Sequence, residues 1–230
     1  MEDFEISEIN SGSIDAILSS IYRSILLNFT ISAPLFSKLI YNYCKSIYVV
    51  LAKTSNNISA SSFRNRETNL YAKLTAEEFS IDTFLQGIDV LGVNEITLIL
   101  TLETDKGEVV KKYESKKIKC ISYHEPNDHK TIYKGGSILY EYLNSIIEQE
   151  GITFENLYEQ IKSHYKYICN TKQGKCFVTN IARDYRKKHI SWATFYRMIA
   201  AFGYHRGTMS VLLHHANGKK TLHGKSFIIH

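Results

Sequence analysis

The sequence predicts an α+β protein built as a tandem duplication, each unit a small helical bundle followed by a β-hairpin. Three observations predict this. Sliding the 230-residue chain against itself by 111 positions lays residues 69–107 on residues 180–218 without a gap. Asn69 then meets Asn180, Ser80 meets Ser191, Thr83 meets Thr194, Phe84 meets Phe195, Ile88 meets Ile199, Gly92 meets Gly203, Thr97 meets Thr208 and Gly107 meets Gly218. These are positions that local physics constrains: a helix N-cap, a buried helix face, a C-terminal glycine, a turn glycine. Secondly, the apolar period changes from helical to alternating at matching places, giving Ile96, Leu98, Leu100 and Leu102 one strand face and Met209, Val211 and Leu213 another. Thirdly, Asp105-Lys106-Gly107 and Ala216-Asn217-Gly218 supply hairpin turns directly afterwards.

Taken in order, amphipathic helices near 14–27 and 34–47 lead the first unit and helices near 138–149 and 154–167 lead the second, where Gly151 stops one helix and Thr153 caps the next. A third short helix follows near 70–78 and 181–188. Ser80 and Ser191 cap a fourth, which Gly92 and Gly203 end. Return strands run through 108–113 and 219–229. Residues 122–136, SYHEPNDHKTIYKGG, carry the turn residues of a linker, dividing the chain into units at 1–121 and 137–230.

With 44% hydrophobic and 22% charged residues the composition is that of a globular protein, neither disordered nor fibrous. No apolar run approaches the roughly 18 residues of a membrane span. Residues 1–8 are acidic where a secretory signal needs positive charge, so a cytoplasmic location is expected, in the host cell if the chain is phage-encoded. Cys44, Cys120, Cys169 and Cys176 read as reduced thiols.

The net charge of +5 hides a split. Residues 1–159 hold 15 Lys and Arg against 22 Asp and Glu, a charge of 15 − 22 = −7, whereas residues 160–230 hold 13 against the single acid Asp184, a charge of +12. Seven of the nine histidines also lie in this basic third. Such a surface attracts polyanions.

The stretch 181–204, IARDYRKKHISWATFYRMIAAFGY, resembles the helix-turn-helix of bacterial and phage DNA-binding proteins. Ala182 stands at the small-residue position of the first helix, and Ser191, Thr194, Tyr196 and Arg197 match the Ser-x-x-Thr-x-Tyr-Arg start of the second. The following hairpin would take the place of the wing in winged-helix proteins. Four residues, Arg186 to His189, stand where the compact motif has about one glycine, so this turn is elongated. Read physically, Trp192, Phe195, Ile199 and Phe202 form one apolar stripe and leave Thr194, Arg197 and Ala201 opposite. Arg197 and Thr194 then suit base edges in a major groove. Arg183, Arg186, Lys187, Lys188, Arg206, Lys219, Lys220 and Lys225 suit phosphates. A core helix with a solvated Arg197 would show the same pattern.

In the first unit the positions matching Arg186, Lys187, Lys188 and Arg197 hold Thr75, Ala76, Glu77 and Gln86, with Glu78, Asp82, Asp89 and Glu95 nearby. That unit would repel phosphates, and reads as a scaffold, a homodimer contact or a site for a protein partner. Metal and enzyme chemistry have little to stand on. His124, Glu125, Asp128 and His129 cluster in the linker without a second ligand group, and Cys169 and Cys176 are six apart with no matching pair. His214 and His215 would point to opposite strand faces. P-loop, GxGxxG and GxSxG motifs are missing, so no cofactor is expected and the chain does not read as an enzyme. Two functions remain: a nucleic-acid-binding regulator or accessory protein of phage or mobile-element type, duplex DNA being the foremost ligand, or a protein-binding phage effector whose basic lobe meets an acidic surface on a host defence or transcription enzyme.

Overall fold

The computed structural model describes residues 14–54, 60–77, 79–93, 95–104, 106, 110–119, 135–164 and 172–229. The chain is α+β. Its first half runs α1 (Ile14–Asn28), α2 (Ala33–Thr54), α3 (Ala60–Thr75), α4 (Ile81–Val90), β1 (Glu95–Thr104), β2 (Val110–Glu114) and β3 (Ile118–Lys119). The second half runs α5 (Gly135–Glu150), α6 (Phe154–His164), α7 (Lys172–Arg186), α8 (Trp192–Ala201), β4 (Tyr204–His214) and β5 (Lys220–Ile228). The helices near 70–78 and 181–188 begin earlier than expected, at Ala60 and Lys172. The expected linker falls mostly on residues outside those described, and α5 already begins at Gly135.

The two halves share one antiparallel sheet in the order β2-β1-β4-β5, with β3 continuing the edge beside β1. Ser115 makes the break between β2 and β3: its amide donates to the Leu98 carbonyl at 2.9 Å, and its hydroxyl accepts from the Leu98 amide at 3.0 Å. The central pair β1 and β4 is in register from Glu95 opposite His214 to Glu103 opposite Arg206. One face of this pair carries Ile96, Leu98, Leu100, Leu102, Met209, Val211 and Leu213, all fully buried in the core with the helices. On the other face Thr97, Ile99, Thr101, Thr208, Ser210 and Leu212 lie outside that core. The alternation read from the sequence is thus the division between the face packed into the helical core and the face outside it, on which Thr97 and Ile99 are nevertheless buried.

Two matching caps aim the helices that lead into β1 and β4. Ser80 Oγ accepts from the Thr83 amide at 3.3 Å, and Ser191 Oγ accepts from the Thr194 amide at 3.2 Å. Gly92 and Gly203 then turn the chain at φ 75° and 85°, where a side chain would be strained. Phe84, Ile88, Phe195 and Ile199 are fully buried beneath these caps. The return strands do not match: Leu102 faces Lys111, whereas Leu213 faces Thr221 and not Leu222, a slip of one register step.

Candidate nucleic-acid interface

The basic second half is organised around the end of α7. Tyr185 fixes that end, stacking on Phe154 with ring centres 3.8 Å apart and donating its hydroxyl to Asn144 at 2.8 Å. The helix then closes in a Schellman arrangement: the His189 amide donates to the Asp184 carbonyl at 3.2 Å, and Lys188 takes the left-handed position at φ 53°. Ile190, fully buried, anchors the chain before Ser191 caps α8. The elongated turn is therefore a helix C-cap plus a core anchor. It leaves Arg186, Lys187 and Lys188 exposed immediately before the α8 N-terminus.

That N-terminus has no acid in its first turn, whereas α4 has Asp82 there. The positive end of the α8 dipole and three cations so occupy one corner, a combination that favours a bound anion. Arg183 is committed to its neighbour, with Nε and Nη2 both 3.2 Å from Asp184 Oδ1.

The remaining cations divide between two ends of the sheet. Tyr196 donates its hydroxyl to the Ile228 carbonyl at 2.8 Å, and Ile228 pairs with Arg206, so exposed Arg197 and exposed Arg206 belong to one end. Lys220 pairs with His214 at the other end and Lys219 is hydrogen-bonded to His215 next to it, roughly 26 Å away at about 3.3 Å per strand residue. Lys225 is half-buried opposite Met209.

One expectation is corrected. Thr194 is buried and accepts a hydrogen bond from Ser191 at 3.0 Å, so it completes the cap instead of meeting a base. Helix periodicity placed it on the face opposite the stripe, but the cap and the residues around it close over that position. The hairpin that follows α8 joins the shared sheet, β4 pairing with β1 on one side and β5 on the other.

The histidines are held separately, His214 by Thr97 at 2.9 Å and His215 by Thr221 at 2.8 Å. Burial, and then Lys117 and Lys220, lower the pKa of His214. Sequence reasoning passed over His223, which is buried beside Asn28 with Nδ1 3.3 Å from that amide nitrogen. Burial and then the nearby His215 lower its pKa. Only its place in an alternating strand could have marked it.

Among the described residues no group of three or more His, Cys, Asp or Glu side chains is arranged to hold a metal ion. The cluster at His124, Glu125, Asp128 and His129, and the Cys169 to Cys176 pair, lie outside the side chains described. No single helix among those described is long and apolar enough to cross a membrane. Compared with protein-family models, with curated proteins and with solved structures, the chain finds no match.

Proposed function

We propose that the chain is a non-enzymatic nucleic-acid-binding protein, a regulator or accessory factor of phage or mobile-element type, whose second half makes the contacts. The observation that carries this reading is the corner between α7 and α8, where Arg186, Lys187 and Lys188 precede a helix N-terminus without an acidic residue in its first turn. Phosphates compensate both the cations and the dipole. In this reading Arg197, exposed on α8, is the side chain that would read a base. The two halves descend in this reading from one duplicated unit, a view supported by the paired caps and glycines and opposed by the one-step slip of the return strands.

Anisotropy of labelled duplex DNA, titrated at several salt concentrations, tests the reading. Binding that weakens linearly in log affinity against log salt, with a slope of several phosphates, supports it. No binding at low salt to duplex, single-stranded DNA or RNA overturns it.

One observation favours a second reading, in which the protein docks on another protein. Leu27, Leu35, Tyr41, Val49 and Tyr71 are exposed on the acidic half. Apolar side chains of this kind suit a protein contact, either a second copy or a host enzyme.

A further inference from the structure

A cleft of about 560 Å³ opens where the C-terminus of α1 meets the β4–β5 turn, between the two halves of the chain. Its position follows from the end of α1. The Thr30 amide donates to the Leu27 carbonyl at 2.9 Å and the Ile31 amide to the Leu26 carbonyl at 3.0 Å, which stops the helix and aims Asn28 and Phe29 at the hairpin. Thr30 is held at φ 54°, a strained value for a β-branched residue.

The lining has two kinds of surface. Phe29 and Leu222 are exposed apolar side chains, and Phe29 already keeps one ring contact, with His215 at 5.7 Å between centres. Lys219 brings a cation, His215 and the buried His223 bring imidazoles, and among the described residues no acidic side chain lines the cleft. Lys220 follows Lys219 on the same strand, opposite His214. A volume of this size suits a small ligand of a few hundred cubic ångströms. An aromatic ring and a Leu beside a lysine match a flat base joined to a phosphate, since every base has a face to stack and every nucleotide a charge to neutralise.

We propose that this cleft takes one nucleoside phosphate, its base against Phe29 and Leu222 and its phosphate on Lys219. The inference rests on the nucleic-acid reading above and locates a contact for an unpaired nucleotide away from the α7–α8 corner.

The test measures three probes on the full chain: the four ribonucleoside 5′-monophosphates by calorimetry, a single-stranded oligothymidylate by anisotropy, and a duplex by anisotropy. Phe29→Leu keeps the apolar volume and removes the ring, and should weaken the monophosphates or the single strand about tenfold while leaving the duplex unchanged. Lys219→Gln should weaken the same probes and provides a second variant should Phe29→Leu lower the melting temperature. Binding of the strand but not the monophosphates assigns the cleft to a nucleotide within a chain, and the reverse assigns it to a free nucleotide. Single-strand and monophosphate affinities unmoved by either variant overturn the proposal, as does competition by inorganic phosphate equal to that by the monophosphates. Failure of the unaltered protein to bind duplex, single-stranded DNA and RNA would overturn the general reading instead, and the monophosphate arm keeps the two failures apart.

Discussion

Ile99 faces Ser210 at the centre of the sheet, and 210 − 99 = 111, the same shift that aligns the two halves of the sequence. An antiparallel pair whose members correspond in this way lies on the axis that would exchange the halves. Consequently β4 fills for β1 the role that β1 fills for β4, and neither half finishes its own sheet.

The first prediction follows from that pairing. Residues 135–230 expressed alone would leave β4 with a row of unpaired amides and carbonyls, a template for another strand. The fragment should form a dimer through β4, or aggregate, while the full chain does not use this edge. Light scattering after size exclusion checks it. A stable monomeric fragment would mean that the β1–β4 pairing is dispensable.

Phe84, Ile88, Phe195 and Ile199 are each fully buried. Replacing any one by Ala should destabilise by about 2 to 5 kcal/mol, the lost transfer energy plus the cavity. Chemical denaturation gives the number. Unchanged midpoints in all four variants would contradict the packing described.

A Cβ on Gly207 would collide with the ring of Phe227, which is itself buried. Gly207→Ala should therefore cost about 1 to 3 kcal/mol, the range for overpacking. Adding Phe227→Leu should restore part of the loss. A wild-type melting curve for the single variant would show that the ring is free to swing aside.

Much of this fold is legible in the residues because its signals are local. Ser80, Ser191, Gly92 and Gly203 act within a few residues of themselves, and the alternation from Ile96 to Leu102 needs only a buried face. What could not be read depends on partners distant in sequence. Nothing near Ile99 says that its neighbour is Ser210, and nothing near Gly207 announces Phe227. Thr194 shows the same limit at the site: its position on the helix wheel was read correctly, yet a hydrogen bond from Ser191 and burial remove it from the surface. His223 was passed over because its partner Asn28 is in the other half.

His223 also makes the fold sensitive to pH. Burial and then His215 lower its pKa below the ordinary value near 6.5. Between those two values the unfolded chain binds the proton and the folded chain does not, so stability rises with pH and is lost as pH falls below about 6.5. His214 acts in the same direction. His223→Gln should flatten the decline of melting temperature between pH 7 and pH 5, and the double variant with His214→Gln should flatten it further. Equal slopes in wild type and variants would place the pH sensitivity elsewhere.

The last prediction separates the contacts at the α7–α8 corner by the sign and selectivity of their effects. If Arg197 reads a base, Arg197→Ala should cost about 1 to 3 kcal/mol on a preferred duplex and little on random sequence. Lys187→Ala, as a phosphate contact, should weaken all duplexes alike and shrink the salt slope by about one. Lys188 adds a sharper discriminant because it sits at φ 53°, a conformation glycine adopts without strain. Lys188→Gly should raise the stability of the free protein by about 1 kcal/mol, the strain of a left-handed residue, while lowering affinity for every duplex. The opposite signs exclude a simple loss of fold as the cause. If Arg197→Ala instead behaves as Lys187→Ala does, α8 lies along the backbone and not in the groove, and the corner is a phosphate clamp without sequence selectivity.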